Sequence, residues 1–297
     1  MHMKNMFSNN QRASLLLIGG SIWFTFMMVL FKSLVLLYPF EQVIFMQSFA
    51  ASLCCGILII YTKKSFFFKK KLLPIYTLRS GLAACAITCW FYSISNLELF
   101  VANAIGYTRN IFLVLMGIFI LKEAFSKNLV FCTFFAFIGV LLAIDPLSAK
   151  SKDLHFFGVF FAIIGALIGA LLTLVIKNIP TNETILRISF YPLLCVTMIY
   201  SYPAYSSWID LNLNYLILFS ILGAVTLIGQ LSFISSYRDG DISLMAIAEY
   251  SRVLFIGLAG YWFFLEVPSF LSLFGIVLLM ASITWSFLLS GVKKNDN

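Results

Sequence analysis

The chain has 297 residues, of which 61% are hydrophobic and 17% aromatic, and it carries only 20 basic and 12 acidic side chains for a formal net charge of +8. Soluble domains hold roughly 45–50% apolar and about 25% charged residues, so this chain cannot cover itself in water and has the lipid bilayer as its solvent. The same scarcity excludes a nucleic-acid partner in spite of the positive charge, because there is too little solvated surface to display a basic face.

A spanning helix needs about 20 mostly apolar residues. Ten such segments are predicted, near 14–37, 42–62, 73–95, 99–121, 128–145, 156–177, 183–203, 214–237, 242–264 and 268–289. The first follows Lys4 and Arg12 but is too long for a signal-peptide core and lacks a small-x-small cleavage site, so it is read as a retained helix. It carries Trp23 and, late, Lys32. The basic run Thr-Lys-Lys-Ser-Phe-Phe-Phe-Lys-Lys-Lys at 62–71 separates the second helix from the third and serves either as a topology anchor or in lipid recruitment.

On the third helix Arg79, Ala83, Ala86, Trp90 and Ser93 form one stripe. On the fourth, Asn103, Gly106, Tyr107 and Asn110 share a face, with Arg109 about 60° round from Gly106. Two amides and a phenol at membrane depth are either a substrate site or glue between helices. The sixth helix has a small-xxx-small pattern at Gly165 and Gly169, which favours a close crossing, and ends at Lys177. Lys32 and Lys177 either snorkel to their interfaces or line a gate. The eighth helix presents Gln230, Phe233, Ile234 and Tyr237, and with Trp23 and Trp90 these residues can wall an aromatic, sparsely polar cavity. On the ninth, Met245, Glu249, Arg252, Ile256 and Gly260 fall on one face, which puts an acid and an arginine one turn apart. Ionisable groups at this depth are costly and face the protein interior, either as a path or as a structural pair.

With an even number of helices, Lys63, Lys64, Lys69, Lys70, Lys71, Lys122, Lys127, Lys177, Arg187, Arg238, Lys293 and Lys294 join Lys4 and Arg12 on one side, and only Lys150 and Lys152 fall on the other. Both termini are therefore expected in the cytoplasm, and the chain in the inner membrane. Cys54, Cys55, Cys85, Cys89, Cys132 and Cys195 lie in apolar helices with no CxxC pair, and His2 and His155 lie outside the helices. No metal, no cofactor and no disulfide framework is expected. There is no phosphate loop and no recognisable constellation of nucleophile, acid and base, so the chain is not read as an enzyme.

Sliding the second half back by 143 positions sets Glu-Tyr-Ser-Arg at 249–252 on Gly-Tyr-Thr-Arg at 106–109. Tyr250 meets Tyr107, Arg252 meets Arg109 and Glu266 meets Glu123. Glu123 and Glu266 lie at helix ends, where they cap or pair with neighbouring ends. Five helices per unit is an odd number, so the halves, residues 1–148 and 149–297, must have opposite topology. The expected fold is an all-α polytopic membrane protein of ten transmembrane helices in two inverted five-helix repeats, an arrangement typical of secondary transporters with a substrate site near the midplane.

The stretch Ala248-Glu-Tyr-Ser-Arg-Val-Leu-Phe-Ile-Gly-Leu-Ala-Gly-Tyr-Trp-Phe-Phe-Leu-Glu-Val-Pro268 resembles the last-repeat signature of the EamA-like branch of the drug/metabolite transporter superfamily. Its first-half counterparts are Arg79-Ser-Gly, Trp90-Phe-Tyr-Ser-Ile and Phe119-Ile-Leu-Lys-Glu123. Glu249 stands where that family often has aspartate before Tyr-[Ser/Thr]-Arg, and Gln47 where helix 2 commonly carries an arginine. The resemblance spans the chain and implies a metabolite carrier; members export amino acids and drugs, import nucleotide-like metabolites or vitamins, or exchange nucleotide sugars. The expected partner is a small-molecule substrate bearing a carboxylate, an amino acid or related zwitterion, with an S-adenosylmethionine-like or nucleotide-like solute as the alternative. A channel and a transport-inactive scaffold are the rival classes. The candidate site residues are Trp23, Trp90, Asn103, Tyr107, Arg109, Asn110, Gln230, Glu249, Tyr250 and Arg252.

Overall fold

A computed structural model of the chain describes residues 8–97, 102, 105–123, 126–144, 156–264 and 269–292. The helices are α1 (Asn9–Val35), α2 (Phe40–Tyr61), α3 (Leu73–Asn96), α4 (Thr108–Phe119), α5 (Lys127–Ile144), α6 (Phe156–Lys177), α7 (Ile185–Ser206), α8 (Leu213–Asp239), α9 (Ile242–Glu249), α10 (Ser251–Phe264) and α11 (Phe270–Val292). No strand occurs among the described residues. Eight spans are long and apolar enough to cross a membrane, α9 and α10 counting together as Ile242–Phe263, while Thr108–Phe119 and Lys127–Ala143 are shorter apolar helices. The chain is a multi-pass membrane protein.

Local chemistry sets the helix ends. Ser8 accepts from the Gln11 backbone N–H while the Gln11 side chain accepts from Ser8, a capping box that starts α1. Pro74 sits in the first turn of α3, where its missing N–H costs nothing. Pro192 lies inside α7 and cannot donate to the carbonyl of Ile188 four residues back. Arg79 supplies that donor: its Nε lies 3.2 Å from Ile188 O, with Nη1 3.5 Å from Leu172 O. Arg79 is buried, and its structural task is to satisfy a proline-broken helix from the neighbouring α3.

Two predicted helices prove to be interrupted. The ninth, expected to be continuous over 242–264, breaks at Tyr250 between α9 and α10. In the fourth, residues 105 and 106 are helical, Tyr107 forms a turn and α4 starts at Thr108. Period 3.6 in an apolar run carries no mark of such a break, because neither site holds a proline or glycine at the turn itself.

α1 packs on α8, α3 on α6, α2 on α7 and α8, α3 on α7, α5 on α11, and α4 on α6 and α9. Glycines set the closest crossings. A Cβ on Gly223 of α8 would meet Ala50 Cβ and come 2.6 Å from Ala51 N on α2; one on Gly275 of α11 would meet Ala143 N and come 2.7 Å from Gly139 O on α5. These obstacles are backbone atoms or a Cβ fixed to the backbone and cannot swing aside. Gly275→Ala is therefore expected to cost about 1–3 kcal/mol and lower the unfolding temperature. Gly257→Ala, with nothing within 4 Å, should leave it unchanged.

Side-chain bonds tie the helix ends at the end of the bundle where the basic flanking residues gather. Asn10 and Asp241 exchange two bonds (2.8 and 2.9 Å). Tyr76 Oη donates to Glu183 (2.9 Å), and Arg187 Nη2 donates to Ser65 O (2.8 Å). At the opposite end the Gln42 amide brackets the Ile209 backbone at 2.7 and 3.0 Å. Large apolar side chains such as Ile57, Ile60, Phe274 and Val277 point outward, which suits a surface bathed in lipid.

Candidate functional site

Glu249 is the last residue of α9, eight residues into its span and so roughly 12 Å below the helix start at 1.5 Å per residue. Its side chain is 2% exposed. The turn at Tyr250 swings the chain into α10 while keeping Arg252 close, and Arg252 Nη2 donates to Glu249 Oε1 at 3.0 Å. From the other half of the chain, Arg109 Nη2 donates to Glu249 Oε2, and Tyr237 Oη on α8 donates to the same oxygen at 2.7 Å. The two turn tyrosines, Tyr107 and Tyr250, approach with ring centroids 6.0 Å apart.

Two guanidinium groups share one carboxylate, so the cluster holds one positive charge in excess. Aromatic faces temper it. Arg252 lies over Phe24 at 4.4 Å and Arg109 over Phe233 at 5.5 Å, while Phe24 and Phe233 meet edge to face at 6.3 Å. The arginine side chains keep 23% (Arg109) and 18% (Arg252) of their surface exposed, against almost none for the acid between them. Gly169 on α6 clears the way for Arg109, since a Cβ there would stand 2.9 Å from Arg109 Cδ. Arg252 Nε, Tyr250 Oη and Asn110 Nδ2 are buried without a hydrogen-bond partner, three groups able to take up a ligand's polar atoms.

Six of the residues singled out by sequence thus fall in or beside this cluster: Tyr107, Arg109, Asn110, Glu249, Tyr250 and Arg252. Four lie elsewhere or go undescribed. Trp23 is 41% exposed on α1, and its neighbour Phe24 takes the place over Arg252. Trp90 packs against Phe31 and Phe40 at 6.2 and 5.9 Å. Gln230 is half-buried one turn from Phe233. Asn103 lies outside the described residues. Gln47 donates to Thr226 at 2.9 Å.

Charges near helix ends turn out to be caps. Glu123 accepts from Ile242 N (2.6 Å), Ser243 N (3.0 Å) and Ser243 Oγ (2.6 Å), closing the N-terminus of α9 from beyond α4. Glu266, its repeat mate, lies outside the described residues. The Lys177 ammonium donates to Gly240 O and to Arg238 O at 3.3 Å, at the C-terminus of α8. No group of three metal-ligating side chains occurs among the described residues.

Phe24, Phe233 and Tyr237 were not among the candidates, although Phe233 and Tyr237 stood on the eighth-helix stripe. With 32 phenylalanines and 13 tyrosines in the chain, helical spacing does not say which ring meets an arginine.

Apolar spans with few charges define a multi-pass membrane protein, and one of those spans carries the buried carboxylate of the ion cluster. Residues 11–144 match the model of the EamA-like transporter family. It is 22% identical to the pseudopaline exporter of Pseudomonas aeruginosa (strain UCBPP-PA14) over 90% of this chain and 93% of the exporter. It is 23% identical to the S-adenosylmethionine uptake transporter of Rickettsia bellii (strain RML369-C) over 82% of each chain. A crystal structure sharing 12% identity superposes with a TM-score of 0.80 over 96% of this chain and 98% of the other, which shows the shared fold.

Proposed function

We propose that the chain is a secondary active transporter that moves a small organic carboxylate or zwitterion, an amino acid or a relative of one, across the inner membrane by alternating access. The observation that carries this reading is the excess positive charge of Arg109 and Arg252 around Glu249 at membrane depth. An uncompensated buried charge is expensive, so a cavity that keeps one is adapted to receive an anion. Guanidinium forks recognise carboxylates in two-point fashion, and Glu249 with Tyr250 Oη offers a complementary place for an ammonium group. The aromatic faces of Phe24 and Phe233 suit an apolar portion of the solute. S-adenosylmethionine, named for one set of relatives, ends in an α-amino acid and fits the same chemistry.

Two inverted repeats, 1–148 and 149–297, are part of the proposal. Shifted by 143 positions, the first residue of α11 falls on the first residue of α5 and the break at Tyr250 falls on the turn at Tyr107. The packing pair α1–α8 becomes α6–α3, while α2–α7 and α5–α11 map onto themselves, as a two-fold axis in the membrane plane requires. Basic residues concentrated at one end of the bundle favour cytoplasmic termini.

The test is reconstitution. A metabolite panel is screened for thermal stabilisation of the purified protein, and the compounds that stabilise it are followed into liposomes with and without a proton gradient. Saturable uptake with counterflow is the expected result. Flux that neither saturates nor exchanges would identify a channel. No flux, with Arg252→Gln indistinguishable from wild type in every transport assay, would identify a scaffold.

A further inference from the structure

Away from the ion cluster, a polar cavity of about 550 Å³ opens at the basic end of the bundle, between α1, the C-terminal turns of α8, the start of α7 with the loop before it, and the loop after α2. Lys64 and Arg238 both line it, Thr181 and Ser235 add hydroxyls, and Leu16 and Leu231 contribute apolar surface.

Its charge is unbalanced. Glu183 is the acidic residue that lines it, but the Glu183 carboxylate is buried and bonded to Tyr76 Oη and Arg187. Arg238 has one Nη held by Glu183 O at 3.1 Å, and its contact with Asp239 is long (3.4 Å) to a carboxylate 62% exposed, an arrangement that neutralises little. Lys64 is exposed at the rim. The N-terminus of α7, capped by Thr184, adds its partial positive charge to the same space.

The shape is amphipathic along the membrane normal. Cations and hydroxyls lie level with the helix ends, the depth of lipid headgroups, and the wall below them runs through Leu16 into the exposed leucine surface of α1 at Leu15. A soluble anion would use only the upper half. We propose that this cavity seats an anionic glycerophospholipid, with its phosphate between Lys64 and Arg238 and an acyl chain along Leu16 and Leu231. The basic run at 62–71 then has a specific task beyond fixing topology, since it delivers Lys64 to the headgroup. The seat touches α1 and the loop after α2 as well as α7 and α8, so an occupied site ties segments from both halves of the chain.

Binding of phosphatidylglycerol and phosphatidylcholine to the purified full-length protein is compared by native mass spectrometry and by thermal shift. Phosphatidylglycerol should be retained preferentially and should raise the unfolding temperature. Lys64→Gln should weaken that preference about fivefold, and the Lys64→Gln, Arg238→Gln double variant on the order of twentyfold. Ser235→Trp, which fills the cavity, should abolish it. Lys71→Gln, an exposed charge outside the cavity, is the control for net charge and should change nothing. Because Lys64 is exposed, its replacement does not threaten folding. Equal retention by wild type and the double variant, an equal loss in Lys71→Gln, or full displacement of phosphatidylglycerol by inorganic phosphate would each overturn the proposal.

Discussion

Arg109→Ala is expected to lower the flux of a carboxylate-bearing substrate by about 100-fold, with a much smaller change in thermal stability. Truncating one member of a buried, hydrogen-bonded charge pair costs about 2–5 kcal/mol in binding, and each 1.4 kcal/mol is tenfold. Stability is spared because Glu249 keeps Arg252 and Tyr237 as partners, and the cluster becomes neutral. Arg109→Lys should restore only part of the activity, since an ammonium lacks the planar fork that spans two carboxylate oxygens. A double cycle separates recognition from packing. If Arg109 binds the substrate carboxylate, an amidated analogue should be transported as poorly by wild type as by the variant. Should both compounds suffer equally from the substitution, Arg109 is a structural tie and the substrate assignment fails.

Glu249→Ala has the opposite profile, with its largest effect on stability. It leaves Arg109 and Arg252 facing each other at membrane depth with no carboxylate between them and orphans the Tyr237 hydroxyl. Breaking a buried ion pair from one side costs about 3–5 kcal/mol, which corresponds to a fall in unfolding temperature on the order of 10 °C. Glu249→Gln keeps the shape and part of the hydrogen bonding, so it should fold better than the alanine variant. That milder variant also tests coupling. With Glu249 as the carrier of the coupling proton, Glu249→Gln abolishes flux driven by a pH gradient and leaves substrate exchange intact. Unchanged gradient dependence in Glu249→Gln removes Glu249 from coupling, and an unfolding temperature unchanged in Glu249→Ala shows that the cluster is not an energetic unit.

The residues of the ion cluster were legible because charges are rare here. Once the loop lysines are assigned to topology, Lys32, Arg79, Arg109, Glu249 and Arg252 are what remains inside helices, and the 143-residue shift matches Arg109 to Arg252. Burying an ion in lipid is so costly that its mere presence in an apolar segment points inward. The same logic does not tell one ion's task from another's. Arg79 reads from sequence like Arg109, yet it repairs the carbonyl that Pro192 leaves bare on a helix 109 residues further along the chain.

The membrane class, the ten apolar segments, the asymmetry of basic residues and the acid–arginine positions follow from composition and period, because hydrophobicity and charge are properties of each residue wherever it packs. The breaks at Tyr107 and Tyr250, the aromatic faces of Phe24 and Phe233, the Tyr237 bond and the choice of α9 as the helix that Glu123 caps were decided by tertiary structure alone. Each depends on which of many similar side chains a distant helix brings within a few ångströms, and in a chain so rich in aromatic residues that choice leaves no trace in local spacing.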